Sequence, residues 1–140
     1  MSGERQPVWV GRVAIMTVPA EVDTSNAAQL REDLLSAVAQ GASLVIADMS
    51  ATTFCDSAGV AALVRVVRQA AASGSGLRIA ASAPVVTRVL ALTGVDKLIE
   101  IYPSVAAALG DDIAADATDE TAHAVLPPQA DPEESAPQPG

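Results

Sequence analysis

The sequence has few of the residues that enzymes use for nucleophilic and acid–base chemistry. Among 140 residues it has one histidine, His123, one cysteine, Cys55, and one lysine, Lys97. A catalytic serine or cysteine needs a base within hydrogen-bond reach, and neither His123 nor Lys97 is expected near a candidate nucleophile. A lone cysteine also excludes an intrachain disulfide. We therefore expect a protein that is not an enzyme and needs no cofactor.

Long apolar stretches and basic clusters are also missing. No apolar run reaches the roughly 20 residues of a transmembrane helix, because Arg65, Arg68 and Arg88 interrupt the longest candidates. The first ten residues lack the apolar core of a signal peptide. Nucleic-acid binding needs a basic face, which the chain does not offer. We expect a cytoplasmic protein with neither a membrane nor a nucleic acid as partner.

The negative charge is concentrated at the C-terminal end. Residues 111–140 contain eight acidic residues and no Lys or Arg, whereas residues 1–110 have nine acids against eight bases, a net charge of −1. The segment is rich in Pro and Ala and has no aromatic residue, so it buries too little apolar surface to offset its ordering entropy. We predict one folded domain over residues 1–110 and an acidic disordered tail over residues 111–140.

Apolar periodicity predicts strands that alternate with single helices. The predicted strands are Val8–Val10 and Arg12–Val18, or one bent strand over both, followed by Leu44–Ala47, Leu77–Ala81 and Leu98–Ile101. The predicted helices span Asn26–Gln40, the residues after Asp56, the residues from Pro84 to Gly94, and Ser104–Leu109. This order implies an α/β domain with a mostly parallel sheet of four to five strands, an antiparallel edge strand and about four crossover helices.

Side-chain positions follow from the same periodicity. Ala20–Ser25 is predicted as a loop, and Asp33 is placed on the polar face of the first helix. Trp9 and Phe54 are predicted to be packing residues. The predicted core stripe of the second helix is Val60, Leu63, Val64, Val67 and Ala71.

The junction Cys55-Asp56-Ser57-Ala58-Gly59 is the one place where the sequence suggests chemistry. In a parallel sheet the strand-to-helix loops meet at one edge, where ligands and partners bind. We therefore expect the loop of Asp23, the loop of Asp56 and Ser57, and the segment Ala81–Pro84 to be neighbours.

Several interpretations of these residues remain open. Asp56 or Ser57 can serve only as a helix N-cap, or Ser57 can accept a phosphate. Cys55 can be a buried strand-end residue or a redox sensor whose thiol pKa is lowered by the helix start. Asp23, Asp48 and Asp56 could together hold Mg²⁺, but Asp48 is better explained by bonds to nearby backbone amides, and no metal site is predicted.

Three motifs in register resemble those of the STAS-domain anti-sigma factor antagonists. The first is Val18-Pro19-Ala20-Glu21-Val22-Asp23 with Ala27 and Leu30, and the second is Asp48-Met49-Ser50 followed by Cys55 to Val60 and Leu63. The third runs from Val89 to Val95 and continues in Ile101-Tyr102 and Ala106–Leu109. Together they cover about residues 8–109, which makes the resemblance much more specific than Asp-Ser-x-Gly alone.

The resemblance implies a phosphorylation switch. The unphosphorylated form would bind an anti-sigma factor that is itself a serine kinase and so release the sigma factor. Phosphorylation of Ser57 by that kinase would break the complex, and a separate serine phosphatase would restore it. Asp23, Asp56, Ser57 and Gly59 would form the partner-binding surface. The alternative is a STAS-type scaffold, or a module that senses redox state or ligands through Cys55 or the strand-edge cleft, without phosphorylation.

Overall fold

The computed structural model describes residues 6–110. The predicted tail, residues 111–140, lies outside the described residues. The described residues up to Ala108 belong to one compact unit, and residues 109 and 110 are the described part of a second.

A five-stranded sheet forms the centre of the fold and confirms the predicted α/β architecture. Its strands are β1 (Val8–Val10), β2 (Val13–Thr17), β4 (Leu44–Asp48), β6 (Gly76–Ala80) and β7 (Glu100–Tyr102), with β3 and β5 described below. The spatial order is β1-β2-β4-β6-β7. The β1–β2 pair is antiparallel and the other pairs are parallel, so the antiparallel edge strand is where the sequence predicts it.

Helices connect the parallel strands. They are α1 (Ala27–Ala39), α2 (Ser57–Ala72), α3 (Pro84–Leu92), a 3₁₀ turn at Val95–Lys97, and residues 105–110, which form α4 after the last strand. Pro84 occupies the first turn of α3, where its missing N–H costs nothing. Gly94 ends that helix with φ 82°, a conformation that favours glycine.

One apolar core joins α1, α2 and α3 to a face of the sheet. Its fully buried side chains include Met16, Leu34, Leu63, Ile79 and Leu90. Arg78 of β6 donates a hydrogen bond to the carbonyl oxygen of Ala108 at 2.7 Å, which ties α4 to the sheet.

A second, two-stranded sheet was missed in the sequence. The predicted loop Ala20–Ser25 contains β3 (Glu21–Val22), which pairs in parallel with β5 (Phe54–Cys55). Two-residue strands are too short to show alternation of apolar and polar residues. The loop prediction for Glu21 and Val22 is therefore wrong.

The predicted core stripe of α2 is confirmed at Val60 and Leu63, confirmed in part at Val64 and Val67, which pack against the core, and wrong at Ala71. Val66 and Ala70 are buried, Val64 and Val67 are half-buried, and Ala71 is exposed. Arg65, Arg68 and Gln69 mark one exposed side of this helix, but the rest of its surface is largely apolar, so periodicity does not fix which part of it packs. The buried residues are Gly59, Val60, Ala62, Leu63, Val66 and Ala70.

Three further burial predictions are wrong. Asp33 is buried, with 4% exposure; Gln29, one turn earlier, donates to its Oδ1 at 2.8 Å. Trp9 is 39% and Phe54 46% exposed. Trp9 lies on the short edge strand β1 and Phe54 on the two-residue strand β5, and neither strand is covered on both faces.

Candidate functional site

Asp56 and Ser57 lie at the first turn of α2, where they have different environments. Asp56 is the N-cap, and its Oδ1 accepts the N–H groups of Ala58 at 2.9 Å and Gly59 at 3.2 Å. Ser57 is the first residue of the helix and is exposed. Within residues 6–110 its hydroxyl has no hydrogen-bond partner. The capping role therefore belongs to Asp56, and the hydroxyl of Ser57 is accessible.

Asp23 lies beside this helix start because β3 and β5 pair with each other. Val22 is in register with Cys55, and the N–H of Asp56 donates to the carbonyl oxygen of Val22 at 3.1 Å. Each strand is followed directly by its aspartate, which confirms that the two loops are neighbours. Hydrogen bonds from the hydroxyl and the N–H of Ser25 lower the pKa of Asp23, so this carboxylate is ionised at neutral pH.

Hydrogen bonds also join the first motif to the second in the residues just before β3 and β5. The N–H of Thr53 donates to the carbonyl oxygen of Ala20 at 2.8 Å. The hydroxyl of the fully buried Thr52 donates to the carbonyl oxygen of Pro19, also at 2.8 Å. Since buried polar groups need partners, these bonds hold the loop of Asp23 in a defined position relative to Ser57.

Gly59 is an interior residue. A Cβ atom at this position would lie 2.6 Å from Cys55 Sγ and 2.7 Å from Val22 Cγ1. Such distances are far inside van der Waals contact, so only glycine lets α2 begin this close to β3 and β5. Gly59 is buried, which places it beneath the candidate surface and limits its role there to positioning the helix start.

Cys55 is a buried thiol. It is 3% exposed, and burial, together with the negative charge of Asp56, raises the pKa of Cys55 to about 11. A thiolate is the reactive form of cysteine, and this environment disfavours it. The position fits the strand-end interpretation of Cys55 better than the redox one.

The carboxylates at this edge of the sheet do not form a metal site. Asp48 accepts the N–H of Ser50 at 3.0 Å, as predicted for a strand-end carboxylate. In the part of the chain that the structure describes, no three acidic, histidine or cysteine side chains come close enough together to hold a metal ion. None of the helices in that part is both long and apolar enough to cross a membrane.

The third predicted loop also lies at this edge. The N–H of Met49 donates to the carbonyl oxygen of Ala80 at 2.7 Å. The N–H of Ala81 donates to the carbonyl oxygen of Tyr102 at 2.8 Å. The helix that follows, α3, is in contact with β5. It carries two exposed apolar residues, Val85 and Leu92, which the sequence analysis did not single out. The sequence could have indicated this pair through its spacing of seven residues, which places both side chains on one helix face.

The class of protein that these features describe is a small α/β domain with an exposed serine, after an N-cap aspartate, at the carboxyl edge of a mostly parallel sheet. The family model of the STAS domain matches residues 6–108. The chain therefore belongs to the STAS domain family.

Solved structures of similar fold include anti-sigma factor antagonists. One from Mycobacterium paratuberculosis has a TM-score of 0.69 and 27% identity, over 75% of this chain and 89% of that one. SpoIIAA in its unphosphorylated form has a TM-score of 0.62 and 22% identity, over 75% and 93%. The Bacillus cell fate determinant SpoIIAA in the phosphorylated form has a TM-score of 0.56 and 22% identity, over 74% and 95%. The last two show similarity of fold.

Proposed function

We propose that this protein is an anti-sigma factor antagonist whose unphosphorylated form binds an anti-sigma factor that is a serine kinase. Binding withdraws the anti-sigma factor from its sigma factor, which is then free to act in transcription. Phosphorylation of Ser57 ends the binding, and a serine phosphatase restores it. The observation that carries the proposal is the accessible hydroxyl of Ser57, which has no hydrogen-bond partner among residues 6–110 and lies beside the capping carboxylate of Asp56.

The phosphorylation step transfers one phosphoryl group. The hydroxyl oxygen of Ser57 attacks the γ-phosphorus of ATP, the bond to the β-phosphate oxygen breaks, and ADP leaves. The serine proton passes to a base of the kinase. This chain contributes the acceptor oxygen, and its N-cap geometry keeps that oxygen outside the capping hydrogen bonds.

Electrostatics explains why such a phosphate would act as an off-switch. A phosphoserine carries about −1.5 to −2 charges at neutral pH. A helix start can stabilise that charge through its free N–H groups, but here Asp56 already accepts those of Ala58 and Gly59. The phosphate would therefore add its charge beside the carboxylates of Asp56 and Asp23. We expect this anionic surface to repel a partner that fits the neutral serine.

Phosphorylation by the partner tests this function. Serine-kinase anti-sigma factors from the source organism are purified, and each is incubated with ATP and this protein before mass spectrometry. We expect at least one of them to place a single phosphate on Ser57. A Ser57→Ala protein labelled as well as wild type would refute the assignment of Ser57, and no labelling by any kinase would refute the phosphorylation switch.

A further inference from the structure

Asp23, Asp56 and Ser57 are too few and too polar to hold a protein partner alone. A specific complex buries about 800 Å² on each partner, with an apolar centre and a polar rim. Asp23, Asp56 and Ser57 provide only polar groups. If the proposed function holds, the contact surface must extend from Ser57 toward apolar side chains.

The exposed large apolar residues indicate the direction of that extension. In the described part of the chain they are Val8, Trp9, Phe54, Val85, Leu92 and Leu98. The first two lie on β1, the outermost strand beyond β2. The other four form what we call the α3 stripe: Phe54, Val85, Leu92 and Leu98.

The α3 stripe begins next to Ser57. Phe54 lies on β5, three residues before Ser57, and is 46% exposed. Since α3 is in contact with β5, this helix lies beside the strand that carries Phe54. Val85, in the first turn of α3, is 58% exposed.

The stripe then continues along one face of α3. Val85 and Leu92 are seven residues apart, which is about two turns and roughly 10 Å of helix. Leu92 is 79% exposed, and Leu98 follows at 53% beyond the 3₁₀ turn that packs against α3. Arg88 is also exposed between Val85 and Leu92, so the face combines apolar contacts with one positive charge.

Among the described residues, α1 offers no comparable apolar surface. The exposed positions of α1 are small or polar, namely Ala28, Glu32, Ser36 and Ala39. An interface extended toward α1 would lack an apolar centre.

We propose that the α3 stripe is the apolar part of the contact surface for the same anti-sigma factor that contacts Ser57. This inference rests on the proposed function. It assigns the two regions separate tasks: the α3 stripe supplies most of the affinity, and Ser57 supplies the dependence on phosphorylation.

Binding measurements with two matched double variants test the inference. Val85→Gln/Leu92→Gln removes apolar surface from α3, and Val8→Gln/Trp9→Gln removes it from β1. Each is titrated by biolayer interferometry against individually purified serine-kinase anti-sigma factors of the source organism, after unfolding curves have shown that both variants fold. We expect the α3 variant to raise the dissociation constant at least about tenfold and the β1 variant to change it by less than about twofold.

The results separate this inference from the proposed function. If Ser57→Asp weakens binding but the α3 variant binds as wild type does, the α3 stripe is overturned and the switch is retained. An equal loss in the α3 and β1 variants also overturns the stripe. If wild type binds none of the anti-sigma factors, the proposed function fails, and the stripe fails with it.

Discussion

At the residue scale, the start of α2 depends on a division of tasks between two neighbouring side chains. Asp56 accepts two backbone N–H groups of the first turn, while the hydroxyl of Ser57 makes no hydrogen bond within the described residues that a phosphate would have to break. An N-cap serine would use its own oxygen for the helix. The order Asp-Ser thus leaves an acceptor oxygen free without loss of the cap.

Replacing Asp56 tests the capping role. In Asp56→Ala the two N–H groups lose their acceptor, so we expect the free energy of unfolding to fall by about 1 kcal/mol. Asp56→Asn keeps an acceptor oxygen and should lose less. Urea unfolding followed by circular dichroism measures both. Equal stability of Asp56→Ala and wild type would contradict the capping account.

The thiol of Cys55 gives a pH-dependent prediction. Its pKa in the folded protein is about 11, against an ordinary value of 9.0. The folded state therefore keeps the thiol proton to higher pH than the unfolded state does. This contribution to stability is complete below about pH 9 and is lost progressively as the pH rises through about 11.

Alkylation kinetics measure that pKa directly. The rate of reaction with iodoacetamide should rise with pH to a midpoint near 11 in the native protein and near the ordinary value in urea. Alkylation of the unfolded protein shows how the reaction of iodoacetamide with an exposed Cys55 depends on pH. A native midpoint at or below the ordinary value would contradict the buried-thiol account and favour the redox sensor.

At the element scale, the approach of α2 to the pair β3 and β5 brings the candidate site together. Gly59 lies where the helix passes over Val22 and Cys55. In Gly59→Ala the added methyl group has no room, so either the helix start or the short strands must shift. We expect a loss of about 1–3 kcal/mol in the free energy of unfolding.

Gly76→Ala is the matched control for Gly59→Ala. Gly76 lies in β6, and the nearest side-chain atom to an added Cβ is Leu44 Cδ1 at 3.4 Å, which is ordinary contact. Its stability should change by no more than about 0.5 kcal/mol. Thermal and urea unfolding measure the stability of both variants. A similar loss of stability in Gly59→Ala and Gly76→Ala would contradict the role of close packing at Gly59.

The elements themselves could be predicted from the sequence, and the details of the site only in part. Apolar runs and glycine and proline stops predicted the five main strands and the helices, because those signals are local. The pair β3–β5 and the exposure of Phe54 depend on contacts between segments about 33 residues apart, such as that of Thr53 with Ala20. Periodicity carries no information on such contacts.

The buried face of α2 is a second case. Apart from Arg65, Arg68 and Gln69, most of that helix is valine and alanine, so the side that packs depends on how the helix meets α1 and β6. Val64 and Val67, which were predicted for the core, pack half-buried against it, and the structure also buries Val66 and Ala70. Burial of Asp33 depends similarly on a partner, Gln29, rather than on residue type.

At the scale of the whole molecule, the STAS match ends at residue 108 and the compact unit at Ala108. We therefore expect a protein truncated after residue 110 to melt within a few degrees of the full chain and to keep its dependence on Ser57. Calorimetry of both proteins, with binding measured side by side, tests this. Unfolding or loss of binding on truncation would contradict a domain limited to residues 1–110.

The dependence of partner binding on the phosphate of Ser57 is the central claim, and calorimetric titration tests it most directly. The protein is phosphorylated by its kinase, separated from the unphosphorylated form, and both are titrated with the same purified anti-sigma factor. The account predicts tight binding of the unphosphorylated form and binding weaker by about 10- to 100-fold, or about 1–3 kcal/mol, after phosphorylation. Equal affinity of the two forms would contradict it.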